Sequence, residues 1–304
     1  MEFEPKINDI IASAIGPFEV LHDHRKDSVR TGVVEVLSEG NRYFVKIHNR
    51  LSRWNPEVYA YKHWTKPCGK FCPSLVEAFN DGDIFGIIIT AIEGRTVNEM
   101  RITDDEKLVK IYYEAGRLFR KMETCAYGTF LGIPKEDGSP YDANVTTDPV
   151  ASVADFIEAK SKWAYDNGLL DDSFKPLIDW SLKNSVIFKD EIPVPTNWDF
   201  SPQNWMADAD GNFTGFIDFE NMVWGIPLDS FGVITDRYTF DKPHLLKSLF
   251  EGYGLSSDEM TQQKLNILRV KMAVADVCNG HSFKIPRFTE CGIRMLQNLR
   301  DTCT

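Results

Sequence analysis

Asn197-Trp198-Asp199-Phe200-Ser201-Pro202-Gln203-Asn204, followed by Phe216-Ile217-Asp218-Phe219, sets a carboxylate, a carboxamide five residues later and a second carboxylate fourteen residues beyond that. Between Asn204 and Asp218 stands Asp210-Gly211, flanked by short apolar runs. That dipeptide predicts a tight hairpin, because both central residues of such a turn need positive φ. Folding the chain back there brings Asn204 and Asp218 together, beside Asp199. Two oxygen ligands for a hard cation next to another carboxylate are the set that metal-assisted phosphoryl transfer calls for.

Composition bounds what that set can belong to. A chain of 304 residues, 43% of them hydrophobic, can bury a core for one large or two medium domains. Its longest apolar run, Ile84–Ile92, is strand-sized and includes Thr90, far short of the roughly 18–20 residues of a membrane span. The acidic start Met1-Glu2-Phe3-Glu4-Pro5 argues against a secretory signal. Six scattered cysteines without a CxxC pair read as thiols in a reducing cytoplasm. A net charge of −11 argues against a nucleic-acid partner. Residues 1–95 hold 13 Asp+Glu and 12 Lys+Arg, and residues 96–304 hold 32 and 22. That asymmetry suits an anionic nucleotide on one side and a cationic substrate on the other; acidity for solubility gives the same totals.

Texture along the chain predicts two lobes. From about Phe18 to Ile92 it reads mostly as strands. Thr31–Leu37 is β-branched, Ser38-Glu39-Gly40-Asn41 is a turn, and Tyr43–Ile47 is the return strand. A short helix follows, with Asn55 as its cap, Pro56 first and Glu57 in its first turn. Strands are expected near Ser74–Phe79 and Ile84–Ala91. After Glu93-Gly94 long helices take over: Thr103-Asp104-Asp105-Glu106 reads as a capping box. Leu108, Ile111, Tyr112, Ala115, Leu118, Phe119 and Met122 then keep helical spacing. Asp148-Pro149 and Ser256–Glu259 open further helices, and the tail after Pro286 reads as the last.

Taken in order, Val45-Lys46-Ile47, the hinge, the helical part, Asp199/Asn204 and Asp218 resemble the aminoglycoside phosphotransferase family, a branch of the protein-kinase-like fold. The spacing is H-x-D-x-x-x-x-N followed by D-F, with Asn197 where His is usual. Trp224-Gly225-Ile226-Pro227-Leu228-Asp229 looks like the family's G-x-P-x-x-D run. The resemblance implies an α+β, bilobal fold. Residues 1–93 would be a small antiparallel sheet with one helix, binding nucleotide and ending in the hinge. Residues 94–304 would be a larger, mostly helical catalytic and substrate-binding lobe.

The resemblance also implies roles. Asp199 would orient the acceptor hydroxyl, and Asn204 and Asp218 would hold Mg²⁺. Lys46, inside an apolar strand, would meet the α/β-phosphates of ATP or GTP and pair with Glu57. Asp229 would buttress the catalytic loop. In place of a glycine-rich loop stands Asp27–Gly32, where Ser28, Arg30 and Thr31 are the phosphate contacts expected. Thr90, Ala91 and Ile92 would face the purine through backbone groups, with Ile217 beneath it. Asn197 can donate and accept as the usual His does. The acceptor is expected against acidic groups of the middle segment and the C-terminal helices: Asp236, Asp241 and Asp276, with Trp224 as a stacking surface. The activity implied is phosphorylation of an aminoglycoside or other cationic antibiotic. A kinase of choline, an amino sugar or a similar alcohol is the enzyme alternative. A catalytically inactive binding protein is the alternative of another class, against which stand Lys46, Asp199, Asn204 and Asp218, all present.

Overall fold

Alternation along Tyr43-Phe44-Val45-Lys46-Ile47-His48 decides the first layer, since successive side chains of a strand face opposite ways. The computed structural model describes residues 3–25, 31–82 and 84–303. In chain order its elements are α1 (Pro5–Ile15), β1 (Glu19–Asp23), β2 (Thr31–Ser38), β3 (Asn41–His48), α2 (Leu51–His63), β4 (Leu75–Asp81), β5 (Ile84–Thr90), β6 (Arg95–Thr96), α3 (Val97–Met100) and α4 (Asp105–Glu123). Then follow α5 (Pro149–Asp166), α6 (Lys175–Asn184), β7 (Val194–Asn197), β8 (Trp205–Ala207), β9 (Phe213–Phe216), β10 (Met222–Gly225), α7 (Phe231–Arg237), α8 (Pro243–Tyr253), α9 (Glu259–Ser282) and α10 (Pro286–Cys303). The chain forms two compact units.

Unit 1 comprises residues 1–102, 133–141 and 203–222. Its main sheet is antiparallel in the order β1-β2-β3-β5-β4. Glu39 and Gly40 both take positive φ, 50° and 77°, as a two-residue hairpin between paired Ser38 and Asn41 requires. Tyr43, Val45 and Ile47 pack with Val34, Val36, Phe79 and Ile88 beneath Phe3, Ile7 and Ile11. Those last residues bring in α1, a helix the strand-rich reading did not foresee, so the sheet carries more than the one helix expected. Lys46 and His48 lie on the other face, toward α2. That helix begins at Leu51, five residues before the expected start at Pro56, which falls inside it. Burial explains the difference: Trp54 is 2% exposed and donates to the Gly86 carbonyl at 2.8 Å, holding the extra turn. Asn55 is no cap; its side chain accepts the Glu136 N–H at 3.1 Å. A second sheet, β6-β8-β9, completes the unit.

Unit 2 comprises residues 103–132, 142–202 and 223–304. The cap of α4 is Asp104, which accepts from the N–H groups of Glu106 and Lys107, so the capping box expected from Thr103 does not form. The apolar residues expected along α4 are all buried. Helices α4 and α8 approach closely because Gly116 and Gly252 face them: a Cβ on Gly116 would stand 2.1 Å from the Leu249 carbonyl oxygen, and one on Gly252 1.9 Å from that of Tyr113. Helix α9 is buried along much of its length. Strands β7 and β10 pair as a short ribbon below the Asp199 loop. Among the described residues no helix is long and apolar enough to cross a membrane.

Candidate active site

In unit 1 the hairpin brings Asn204 and Asp218 together. Trp205 pairs with Phe216, and the Ile217 N–H donates to the Asn204 carbonyl at 3.0 Å. The turn is looser than Asp-Gly suggested. Asp208 accepts from the N–H groups of Asp210 and Asn212 at 3.0 and 2.8 Å, and of the dipeptide only Gly211 is left-handed. The Asp208 side chain holds the loop, so Asp210 needs no positive φ. Asp218 does adopt one, 64°, which is uncommon outside glycine. This turns its carboxylate to Lys46, whose Nζ lies 2.9 Å from Asp218 Oδ1 and 2.6 Å from Glu57 Oε1.

Lys46 is 7% exposed and Glu57 fully buried. Burial pushes the Lys46 ammonium down, but Asp218, Glu57 and Glu220 together hold it above its ordinary range. Burial likewise pushes the Glu57 carboxyl up, and Lys46 and His48 overcome it, leaving it at about 2. The Phe219 N–H also points to Glu57, at 3.4 Å. One strand, one helix and the loop after β9 are thereby joined through a single carboxylate. Asp218 keeps its side chain 33% exposed. With the neighbouring Asn204 it offers oxygen donors of the kind Mg²⁺ takes.

Other nucleotide-side residues are placed less simply. Ser28 and Arg30 lie outside the described residues. Thr31 opens β2, and its hydroxyl donates to Glu220 at 2.8 Å, so its side chain holds the Asp218 loop and a phosphate contact there would fall to its backbone. The Thr90 and Ala91 N–H groups donate to the carbonyls of Ser74 and Arg42, both at 3.0 Å. Any purine contact from this segment therefore uses its other backbone groups. Ile92 is buried and Ile217 half-buried.

In unit 2 Asp199 is half-exposed on a loop held from behind. Asn197 accepts the Asp199 N–H on Oδ1 at 2.8 Å, and its own N–H donates to Ser230 at 2.9 Å. Buried Asp229 accepts from Trp198 Nε1 at 3.0 Å and pairs with Lys271 at 2.5 Å. Lys271 also lies over the Trp198 ring, 5.6 Å from its centroid. Next to Asp229, Leu228 takes φ 75° and donates its N–H to buried Glu123 at 3.4 Å. Ser230, Lys271 and Glu123 escaped the sequence reading. A lysine inside the apolar run Val270–Val274 was the one signal available, since a buried ammonium needs a carboxylate.

The expected acceptor wall is corrected in two places. Asp276 is fully buried, with its carboxylate gripped by Nε and Nη2 of Arg237. Trp224 is 5% exposed, with its ring against Gly128. Neither offers a surface. Asp241 is exposed; Asp236 lies in α7, and its side chain is outside the described part. Arg237 and Arg287 both stand over the Phe288 ring, 4.3 and 5.3 Å from its centroid. Burial opposes the Arg237 charge, and Asp276 with Tyr238 and Asp199 sustains it. The acidity is unevenly spread as well: residues 142–202 hold 11 Asp+Glu against 5 Lys+Arg, and residues 223–304 hold 9 against 10.

A sequence model described as the phosphotransferase enzyme family (APH) matches residues 28–263. No curated protein matches the sequence. Among solved structures, a thermostable mutant of aminoglycoside phosphotransferase APH(4)-Ia superposes with a TM-score of 0.72 at 11% identity, over 97% of this chain and 98% of that one. The GDP and kanamycin complex of APH(2")-IIia gives 0.64 at 14% identity, over 99% and 100%. The gentamicin complex of APH(2")-IIa gives 0.62 at 17%, over 98% and 97%. The α+β kinase-like fold expected of this chain is thus the fold it has.

Proposed function

Since this chain belongs to the phosphotransferase enzyme family, matched over residues 28–263, we propose that it transfers the γ-phosphoryl group of ATP or GTP to a hydroxyl of a small molecule. The carrying observation is the buried Lys46–Glu57 pair, with Lys46 also on Asp218 and Asn204 beside it. Lys46 binds the α/β-phosphates, and Glu57 keeps its ammonium aimed and charged. Asn204 and Asp218 hold Mg²⁺, which when bound offsets the charge of the phosphates. Asp199 accepts a hydrogen bond from the acceptor hydroxyl and takes its proton. The acceptor oxygen bonds to the γ-phosphorus as the bond to the bridging β–γ oxygen breaks, releasing ADP or GDP. Asn197 fixes the backbone at Asp199, and Trp198 with Lys271 anchors the loop to Asp229.

For the acceptor, a cationic sugar antibiotic is supported by the acidic segment 142–202. Hygromycin B and kanamycin, named with complexes of its structural neighbours, point the same way. Asp241 and Asp236 remain candidates to face it. A metabolic small-alcohol kinase is the second reading, favoured by the engagement of Asp276 with Arg237 and by Arg287 nearby. Six thiols without a disulfide suit a cytoplasmic site of action. The test is incubation with Mg²⁺ and ATP or GTP against aminoglycosides, other antibiotics and small alcohols, read as the mass gain of one phosphoryl group. Transfer to a cationic antibiotic supports the first reading, and transfer only to choline, an amino sugar or another small alcohol supports the second. Nucleotide binding without turnover on any acceptor would sink both and leave an inactive binding protein.

A further inference from the structure

We propose that His48 is a positioning residue that, with Arg53, ties helix α2 to the loop carrying Asp218. The inference rests on the nucleotide-site reading above and adds to it a second line of support behind the Lys46–Glu57 pair. Two residues after Lys46 on β3, His48 shares its face of the sheet. Its side chain has no exposure, and the ring stands between two carboxylates. Nε2 lies 3.0 Å from Glu57 Oε2, and Nδ1 lies 3.9 Å from Glu220 Oε2. Neither ring nitrogen makes a well-aligned hydrogen bond, so the ring is held between the two carboxylates by packing. Glu220 is the second residue after Asp218 and is anchored from two sides. Thr31 donates to its Oε2, Arg53 Nη1 lies 3.1 Å from its Oε1, and the same guanidinium reaches Asn221.

Arg53 and Glu57 sit one helical turn apart on α2, and each grips the segment 218–221 directly or through its neighbours. Glu57 receives the Phe219 N–H, and Arg53 holds Glu220 and Asn221. His48 fills the space between the two carboxylates, where like charges would otherwise face each other in a buried site. Three carboxylates (Glu57, Asp218, Glu220) meet Lys46 and Arg53 here. Removing the ring leaves Glu57 and Glu220 to repel, and the residue that moves with Glu220 is Asp218.

His48, Glu57 and Glu220 are also a set that could bind a metal, with their ligand atoms within 4.8 Å of one another. The geometry favours the bridging role. The two carboxylates face opposite nitrogens of the ring, whereas one metal ion takes a single nitrogen. Both carboxylates are moreover held by Lys46, Arg53 and Thr31.

The test uses the full chain with His48→Leu, His48→Gln, Arg53→Ala and the His48→Leu/Arg53→Ala double variant. Equilibrium binding of ATP and GTP is measured with and without Mg²⁺, and unfolding is followed in urea. We expect His48→Leu and Arg53→Ala each to cut the Mg²⁺-dependent gain in nucleotide affinity about tenfold, the usual loss when a partner behind a metal ligand is removed. Binding without Mg²⁺ should stay near wild type, and His48→Gln, which keeps a donor, should restore most of the gain. The double variant should be no worse than the poorer single one, in binding and in urea midpoint, because both act on one network. Losses that multiply, an unchanged Mg²⁺ gain in folded His48→Leu, or an equal loss without Mg²⁺ would each overturn the proposal. So would a rise in wild-type melting temperature with Zn²⁺ that His48→Leu abolishes, which would make the cluster a metal site. If wild type binds no nucleotide, the functional reading fails, while the urea comparison still decides whether His48 and Arg53 act together.

Discussion

Asp199 and Lys46 depend on different parts of their surroundings, and their substitution should separate two jobs. Asp199 stands on a loop that Asn197, Ser230 and Asp229 hold from behind through the Asp199 N–H, the Asn197 N–H and the Trp198 ring. Its removal should leave the fold and the nucleotide half intact. We therefore expect Asp199→Ala to lower kcat by about 10²–10⁴, with nucleotide Kd within about twofold of wild type and an unchanged melting temperature. Steady-state kinetics beside a binding titration checks this, and activity surviving largely intact would remove Asp199 from its role. Lys46 differs because Glu57 is wholly buried against it; deleting one partner of such a pair strands the other charge. At this scale the sequence was legible where spacing carries meaning. The approach of Asn204 to Asp218 was legible because a hairpin between them folds the chain back, pairing Trp205 with Phe216. Asp276 misled because a carboxylate's number says nothing about its partner: Arg237, 39 residues away, consumes it. The Thr31 hydroxyl has a partner equally remote in sequence, Glu220, 189 residues on.

Helix α4 shows how an element can carry a titrating group to a place that sequence does not reveal. Its last turn buries Glu123 against Tyr253, at the end of α8, and against the Leu228 N–H. Burial raises the carboxyl from 4.5 to about 7, and the bonds from Tyr253 and Leu228 recover only part of that shift. A group with a raised folded pKa holds its proton more tightly in the native state. Its contribution to stability is therefore complete below pH 4.5 and is lost as pH rises through about 7. Between those values the wild type should lose up to about 3 kcal/mol of unfolding free energy from this one group. Glu57, depressed to about 2, titrates below that window and does not mask the effect. Glu123→Gln keeps an acceptor for Leu228 and removes the proton equilibrium, so its urea-unfolding free energy should be flatter than wild type from pH 5 to 8. Parallel curves for the two proteins would refute the assignment. The helix itself was readable from its apolar period. Its cap was not, because Thr103 and Asp104 both suit an N-cap and only the backbone path selects Asp104. Helix α1 went unread for a related reason: Ile7 and Ile11 gain meaning only from the sheet they cover.

For the molecule as a whole, charge distribution is the remaining guide to the acceptor, and it bears on the acceptor's charge. The net charge of −11 is not spread over the helical part. The segment 142–202 carries the excess, with 11 acidic against 5 basic residues, while residues 223–304 are close to balance. A cationic acceptor would be drawn by the long-range field of the acidic segment, because the paired or buried carboxylates of the C-terminal helices add little. Attraction of that kind is screened once the Debye length falls below the separation, roughly 10 Å at 0.1 M salt. The KM for a cationic acceptor should therefore rise severalfold between about 0.02 and 0.3 M salt. An asymmetric response is expected in kcat, which should stay nearly constant, since Asp199 and Lys46 act at contact distance where screening is weak. An acceptor KM indifferent to salt, or one that falls as salt is added, would instead favour a neutral or anionic alcohol placed near Arg237 and Arg287. The same titration run at saturating nucleotide separates this from any salt effect on ATP or GTP binding, so acceptor charge can be read before its identity is known.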